Sequence, residues 1–289
     1  MKPVSQSTLA WRKICHEKWV DSWQERLLWL GSERLVITQF SGSKRVRLEI
    51  YAVTGSEAAV LKKEFGGEIR NLSRSSADWV KSIVQKKPIP IRGRLRIVNL
   101  EPEAEQTVDG DVIFVPASLA FGTGEHATTA GCLRLLCDIV HPDDTGWTFL
   151  DVGTGTGILA LAAAKLGAGR VEAIDADAIA VRTAKQNARL NRLSGKIRIW
   201  CQDVLKFRPE SAYDVVAANL YSVLLRQALP QLVKAARKGG FLIFSGILRD
   251  QEAEVKEWLR EKRLELKASR SRGKWTTLLA QRSGTTRSK

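Results

Sequence analysis

The sequence predicts an α/β protein, a doubly wound and mainly parallel sheet preceded by a small N-terminal α+β domain. Three observations carry that expectation. From about residue 128 onward, apolar runs of strand length alternate with helical runs, as buried parallel strands and their crossover helices do. The segment TFLDVGTGTGILALAAAKLG sets a glycine-rich turn between one such strand and one such helix. The first 75 residues have a different rhythm, with short mixed elements and a basic balance.

Taken in order, WRKICHEKWVDSWQERLLWL places Trp11, Cys15, Trp19 (or Val20), Trp23 and Leu27 at spacings near 3.6, which predicts a helix. LVITQF and RVRLEIYAV read as strands around the turn SGSK. EAAVLKKEFGG reads as a helix closed by glycine, and EIRNL as a short strand. Pro88 and Pro90 impose extended backbone on a connecting region in which EPEAEQTVDGD is a loop and DVIFVP a strand. Beyond it, ATTAGCLRLLCDIV is helical, TFLDV a strand, GILALAAAKLG a helix, VEAID a strand and AIAVRTAKQNARLN a helix. IRIW and DVVAANL are strands, SVLLRQALPQLVKAARK a helix, GFLIFSGI a strand and QEAEVKEWLREK a helix. LELKAS and KWTTLLAQ close as a terminal hairpin. The expected organisation is a recognition domain at 1–75, a connector at 76–115, a catalytic domain at 116–282 and a polar tail at 283–289.

Composition narrows the function classes. The chain has 289 residues, 44% hydrophobic and 27% charged, with no apolar run near the ~18 residues that span a bilayer. The N-terminus lacks the apolar core of a signal peptide, so a cytoplasmic protein without a membrane partner is expected. Its four cysteines form no C-x-x-C pair and only three histidines are present, so no metal site is expected. The net charge of +15 divides into +10 over residues 1–100, −1 over 101–250 and +6 over 251–289. Such basic flanks suit a negatively charged partner, for instance RNA or an RNA-rich particle.

Two Gly-Thr-Gly loops stand about 30 residues apart, in LAFGTGEHATT and in DVGTGTG. In the second, Gly153, Gly155 and Gly157 permit a tight turn and close approach of backbone to a ligand at a helix N-terminus. Ile158 stands where the dinucleotide fingerprint requires its last glycine, so the pattern favours S-adenosylmethionine over NAD. Asp151 precedes the loop, Asp175 ends VEAID where a carboxylate meets ribose hydroxyls, and Asp203 in CQDV is placed for an adenine amino group. Any one of these acids alone suits a helix cap; the ordered set on successive strand ends points to a ligand. Asn219, in VVAANLYS, ends the fourth strand, where its carbonyl can accept a hydrogen bond from an attacking amine.

LAFGTGEHATT, DVGTGTGILALAAAKLGA, VVAANL and FLIFSGIL, in this order and spacing, closely resemble the ribosomal protein L11 methyltransferase family over about residues 78–250, and ADWVKSIVQKKPIPIRGRLRIV is similar to its connector. The resemblance implies a class I methyltransferase fold of the Rossmann-like type, with an N-terminal domain that recognises the substrate. It implies S-adenosyl-L-methionine as cofactor and methylation of lysine and α-amino groups of ribosomal protein L11, free or on the ribosome, with ribosomal RNA met by the basic flanks. It further implies that Phe121, Gly122, Thr123, Gly124, His126 and Thr128 line the reacting side of the cofactor, with Thr128 capping the next helix and His126 shaping the loop. Asn219 is then the catalytic residue. The chain departs from the family at Pro116, Ala117 and Ser118 (usually Asp-Pro-Gly), at Thr154 and Thr156 (commonly Cys and Ser), and in its Trp-rich N-terminus. Tyr221 follows Asn219 without the prolines of the Asn-Pro-Pro-Tyr motif. These departures bear on the substrate. The alternatives are another protein lysine, an RNA base amine stacked on Tyr221, or a non-catalytic cofactor- or RNA-binding protein.

Overall fold

The structure, a computed structural model, describes residues 8–20, 23, 27, 30, 34–40, 42–72, 88–99, 110–116, 122, 124 and 126–284. It divides into two compact units, residues 1–85 and 86–289.

In the first unit, strands β1 (Thr8–His16), β2 (Leu35–Gln39), β3 (Arg45–Val53) and β4 (Glu68–Leu72) form an antiparallel sheet in the order β2-β3-β1-β4. Trp11 and Cys15 therefore lie on a strand, and the helix expected from residue 11 is corrected. A spacing of four residues returns to the same face of a helix and of a strand alike, so the Trp11–Cys15–Trp19 pattern fits both periods. Long-range pairing decides between them, because Trp11 lies opposite Ile50 of β3 on one side and Ile69 of β4 on the other. Helical backbone begins only after β1, with one tight turn at Glu17–Trp19 and helical conformation at Val20, Trp23 and Leu27.

The β2–β3 hairpin, helix α1 (Gly55–Phe65) and β4 match their expected places. Thr54 and Glu57 cap α1 reciprocally: Glu57 N donates to Thr54 Oγ1 at 3.2 Å and Thr54 N to Glu57 Oε2 at 2.7 Å. Hydrogen bonds from Arg34 and from Thr54 hold the Glu57 carboxyl down at about 2. Trp11 is fully buried among Leu27, Leu48, Ile50 and Leu61, and its indole N–H donates to Gly66 O at 2.7 Å.

The second unit contains a small sheet of β5 (Ile89–Ile91), β6 (Leu95–Val98) and β7 (Val112–Phe114), drawn from the stretch read as connector. The remainder of that stretch, ADWVKSIVQKK and the acidic loop EPEAEQTVD, lies outside the described residues. The main sheet takes β8 (Thr148–Val152), β9 (Arg170–Asp175), β10 (Ile197–Cys201), β11 (Tyr213–Asn219), β12 (Ala236–Leu248), β13 (Leu264–Arg272) and β14 (Trp275–Arg282) in the order β10-β9-β8-β11-β12-β14-β13. Strands β8 to β12 pair in parallel, and β14 runs antiparallel between β12 and β13.

This is the doubly wound sheet expected from the sequence. Strand residues alternate between its faces: Phe149, Val215 and Ala217 pack with α2 (Ala127–Ile139), α3 (Ile158–Lys165) and α4 (Ala178–Leu190), whereas Leu150, Val216 and Ala218 pack with α5 (Ser222–Ala235) and α6 (Glu252–Glu261). The chain winds outward from β8 to β10, then returns to the other side of β8 for β11. Their carboxyl ends flank the switch point at which open α/β sheets bind ligands.

Candidate functional site

Asp151, the glycine loop and α3 follow one another directly at the end of β8. Gly153 and Thr154 donate their N–H groups to Ile174 O at 2.9 and 3.0 Å, which folds the loop over β9. All three loop glycines take positive φ, and at Gly157 (φ +83°) a Cβ would lie 3.1 Å from Ala184 Cβ, so α4 packs on bare backbone there. Asp151 is buried. Its Oδ2 accepts from Thr154 Oγ1 at 2.7 Å and from Ala160 N at 3.2 Å, while its Oδ1 is buried with no hydrogen-bond partner among the described residues. Desolvation pushes this carboxyl up to about 7, against the pull of Thr154 and Ala160.

Asp175 closes β9 beside the same loop, its Oδ2 accepting from Gly155 N at 3.0 Å and its Oδ1 from Asp177 N at 2.9 Å. Each oxygen keeps a second lone pair for a ligand hydroxyl. Asp203 follows β10 at the same edge, where its Oδ1 accepts from Leu205 N at 2.9 Å; Gln202 N donates to Asp175 O at 2.8 Å and joins the two loops.

Among the described residues, a hydrogen bond joins the first Gly-Thr-Gly loop to the second. Thr156 Oγ1, fully buried, donates to Gly122 O at 2.5 Å. Gly122 and Gly124, both at positive φ, lie over Ile158 at the start of α3. Two loops distant in sequence thus meet at the start of α3.

His126 caps α2, accepting on Nδ1 from Thr128 N at 3.4 Å, with Thr128 Oγ1 2.8 Å from the same nitrogen. The cap expected at Thr128 is corrected: Thr128 sits inside the first turn, and its hydroxyl serves a different partner. Asn219 Nδ2 donates to Thr128 Oγ1 at 3.3 Å, and Ser245 Oγ donates to Thr128 O at 3.3 Å. With Thr128 Oγ1 accepting from Asn219, the threonine proton turns to His126 Nδ1, which must be unprotonated to take it. Burial, and then the positive charge of Lys274, lower the His126 pKa and hold the ring neutral. Among the described residues, the Asn219 carbonyl oxygen has no donor.

The structure therefore brings together Gly122, Gly124, Thr128, Asp151, Gly153, Gly155, Gly157, Asp175, Asp203 and Asn219 at the carboxyl end of the parallel strands; Phe121 and Thr123 lie outside the described residues. Sequence reasoning missed two buried supports. Asn187 Nδ2 donates to Thr156 O at 2.8 Å, and Ser245 anchors Thr128. Asn187 had a legible signal, since it falls with Val181, Ala184 and Ala188 on the buried face of α4, where an amide needs a partner.

The family model described as Ribosomal protein L11 methyltransferase (PrmA) matches residues 30–283. The chain belongs to this family. The ribosomal protein L11 methyltransferase of Pelotomaculum thermopropionicum is 38% identical over 229 residues, covering 78% of this chain and 73% of that protein. That of Pelobacter propionicus is 37% identical over 210 residues, covering 72% and 67%. A crystal structure of ribosomal protein L11 methylase from Lactobacillus delbrueckii subsp. bulgaricus superposes with a TM-score of 0.58 at 33% identity, covering 68% of this chain and 100% of that one.

Membership makes the sheet that of a class I methyltransferase and its cofactor S-adenosyl-L-methionine. The residues present fit that cofactor. A buried carboxylate oxygen without a partner suits an ammonium group, and the glycine loop exposes backbone beside it. Among the described residues, no helix is long and apolar enough to cross a membrane.

Proposed function

We propose that Asn219 aligns the amino group of a lysine, or an α-amine, of ribosomal protein L11 for methyl transfer, in a cytoplasmic enzyme whose cofactor lies across the two glycine loops. The observation that carries this reading is the chain His126–Thr128–Asn219, which fixes the Asn219 amide through one of its N–H groups and leaves its carbonyl for the substrate. Bound S-adenosylmethionine supplies an electrophilic methyl group on a sulfonium.

The chain's own residues do the rest. Asp151 and the backbone of Gly153 to Gly157 would hold the amino-acid end, Asp175 would take the ribose hydroxyls and Asp203 would face the adenine. Gly122 and Gly124 would line the reacting side. The Asn219 carbonyl accepts an N–H from the neutral amine and turns its lone pair toward the methyl group. With its methyl group passed to the amine nitrogen, the cofactor would leave as the neutral thioether, and the surplus proton on the nitrogen would pass to water. Tyr221 and Val223, 76% and 71% exposed at the start of α5, offer apolar surface to the lysine stem. The first unit is assigned to substrate recognition, in keeping with its separate core.

The test is incorporation of labelled methyl groups into purified free ribosomal protein L11, intact ribosomes and protein-free ribosomal RNA, followed by mass spectrometry. Methyl-sized mass increments on L11 lysine or N-terminal amines support the reading. Label in RNA alone, or in no fraction despite cofactor binding, rejects it.

A further inference from the structure

We propose that Arg92, Arg134, Arg270, Arg272 and Lys274 form a docking ridge for an RNA phosphate backbone beside the methyl-transfer site. Arg134 leaves α2 one turn before Asp138, which pairs with Arg92 of the β5–β6 turn at 2.8 Å. Helix α2 packs on β13. On that strand Ser269 and Ser271 turn toward Glu252 and Thr276, at 2.7 and 3.0 Å, so alternation puts Arg270 and Arg272 on the opposite face. Arg272 pairs with Trp275 across a two-residue turn, and Gly273 (φ +61°) lets that turn carry Lys274 at its tip. Lys274 Nζ sits 5.4 Å from the centroid of the Trp275 ring, and that ring meets His126 edge-on with 5.3 Å between centroids.

The ridge is nearly all cationic. Arg134, Arg270 and Arg272 have no carboxylate partner among the described residues. Arg134 also feels its neighbours, since burial, then Arg272 and Arg92, lower its pKa. Like charges gathered this way raise the free energy of the unbound protein, and a polyanion offsets the repulsion. Guanidinium forks match phosphate oxygens bidentately, and the half-buried Trp275 offers an aromatic edge to a base. A single anion would engage one or two of these groups; a nucleic-acid backbone can engage cations contributed by β5–β6, α2, β13 and the terminal turn together. The ridge itself does not depend on which amine is methylated, and naming ribosomal RNA as its source rests on the L11 reading.

The test titrates the full chain with a labelled ribosomal RNA hairpin at salt concentrations from about 50 to about 200 mM, and repeats it with Arg270→Glu/Arg272→Glu and with Arg134→Gln. Methylation of free L11 is measured in parallel. The double variant should bind RNA at least about tenfold more weakly, with a log–log salt slope shallower by about 2. Arg134→Gln should lose a smaller part of each, and free L11 should be methylated by all three proteins alike. RNA binding unchanged in the double variant overturns the proposal, as does failure of the parent to bind RNA. Competition by polyglutamate as effective as by unlabelled RNA also overturns it and points to an acidic protein. Loss of L11 methylation in the parent with RNA binding intact rejects the substrate reading and leaves the ridge standing.

Discussion

At the scale of single residues, the site depends on two groups whose protonation the fold has moved in opposite senses. Asp151 is pushed up to about 7 by burial, so the folded protein without cofactor takes up a proton that the unfolded chain, with an ordinary carboxyl near 4, does not hold at neutral pH. A raised carboxyl pKa means that stability falls as pH rises from about 4 to about 7 and then levels off. Asp151→Asn should therefore stabilise the cofactor-free protein at pH 8 by on the order of a few kcal/mol, measured by denaturant unfolding. The same substitution should weaken cofactor binding, and parent binding should release a proton near pH 6.5, read by calorimetry in buffers of different ionisation enthalpy. Proton-neutral binding there would count against the ammonium–carboxylate contact.

His126 has been moved the other way, to below its ordinary value, with Thr128 on its Nδ1, the Trp275 ring at its edge and Lys274 as the nearby charge. Its neutral form orients Thr128 and so the Asn219 amide. The substrate amine alone makes log kcat rise with unit slope in pH. Below the His126 pKa, lower than 6.5, the slope should steepen toward two, and His126→Asn should restore unit slope. Identical profiles for parent and variant would remove His126 from the positioning chain.

At the scale of elements, the loop after β11 is held from behind by β12. A Cβ at Gly246 (φ +83°) would lie 2.2 Å from Leu220 O, against rigid backbone. Gly246→Ala should displace Leu220 and with it Asn219, lowering kcat about 100-fold and destabilising the fold by more than about 1 kcal/mol, as rates and urea unfolding would show. Near-parent kcat would mean that the Asn219 loop tolerates the shift. Elements of the second unit were legible because each one is local: strands buried on both faces read as unbroken apolar runs, and helices as periodic ones. Strand β1 was not, because Trp11 and Cys15 satisfy both periods and only partners in β3 and β4, tens of residues away, select the strand. The link from Thr156 to Gly122 was equally hidden, being a contact across the fold without a local pattern.

At the scale of the whole molecule, the chain holds separate cores, one around Trp11 and two on the faces of the large sheet. The convergence of Asp151, Asp175 and Asn219 was readable from their order alone, since these strand ends must meet once the strands are parallel and adjacent to β8 or its neighbours. What they act on was not readable in that way, because substrate choice rests on exposed side chains and on charge spread over distant segments. The central claim, that two glycine loops and Asn219 form one methyl-transfer site, is tested most directly by single-turnover transfer to free L11 with Asn219→Ala, alongside cofactor affinity for the same protein. The account predicts a rate about 100-fold lower with cofactor affinity within about threefold of the parent. An unchanged rate, or a loss of rate matched by an equal loss of cofactor affinity, would contradict it.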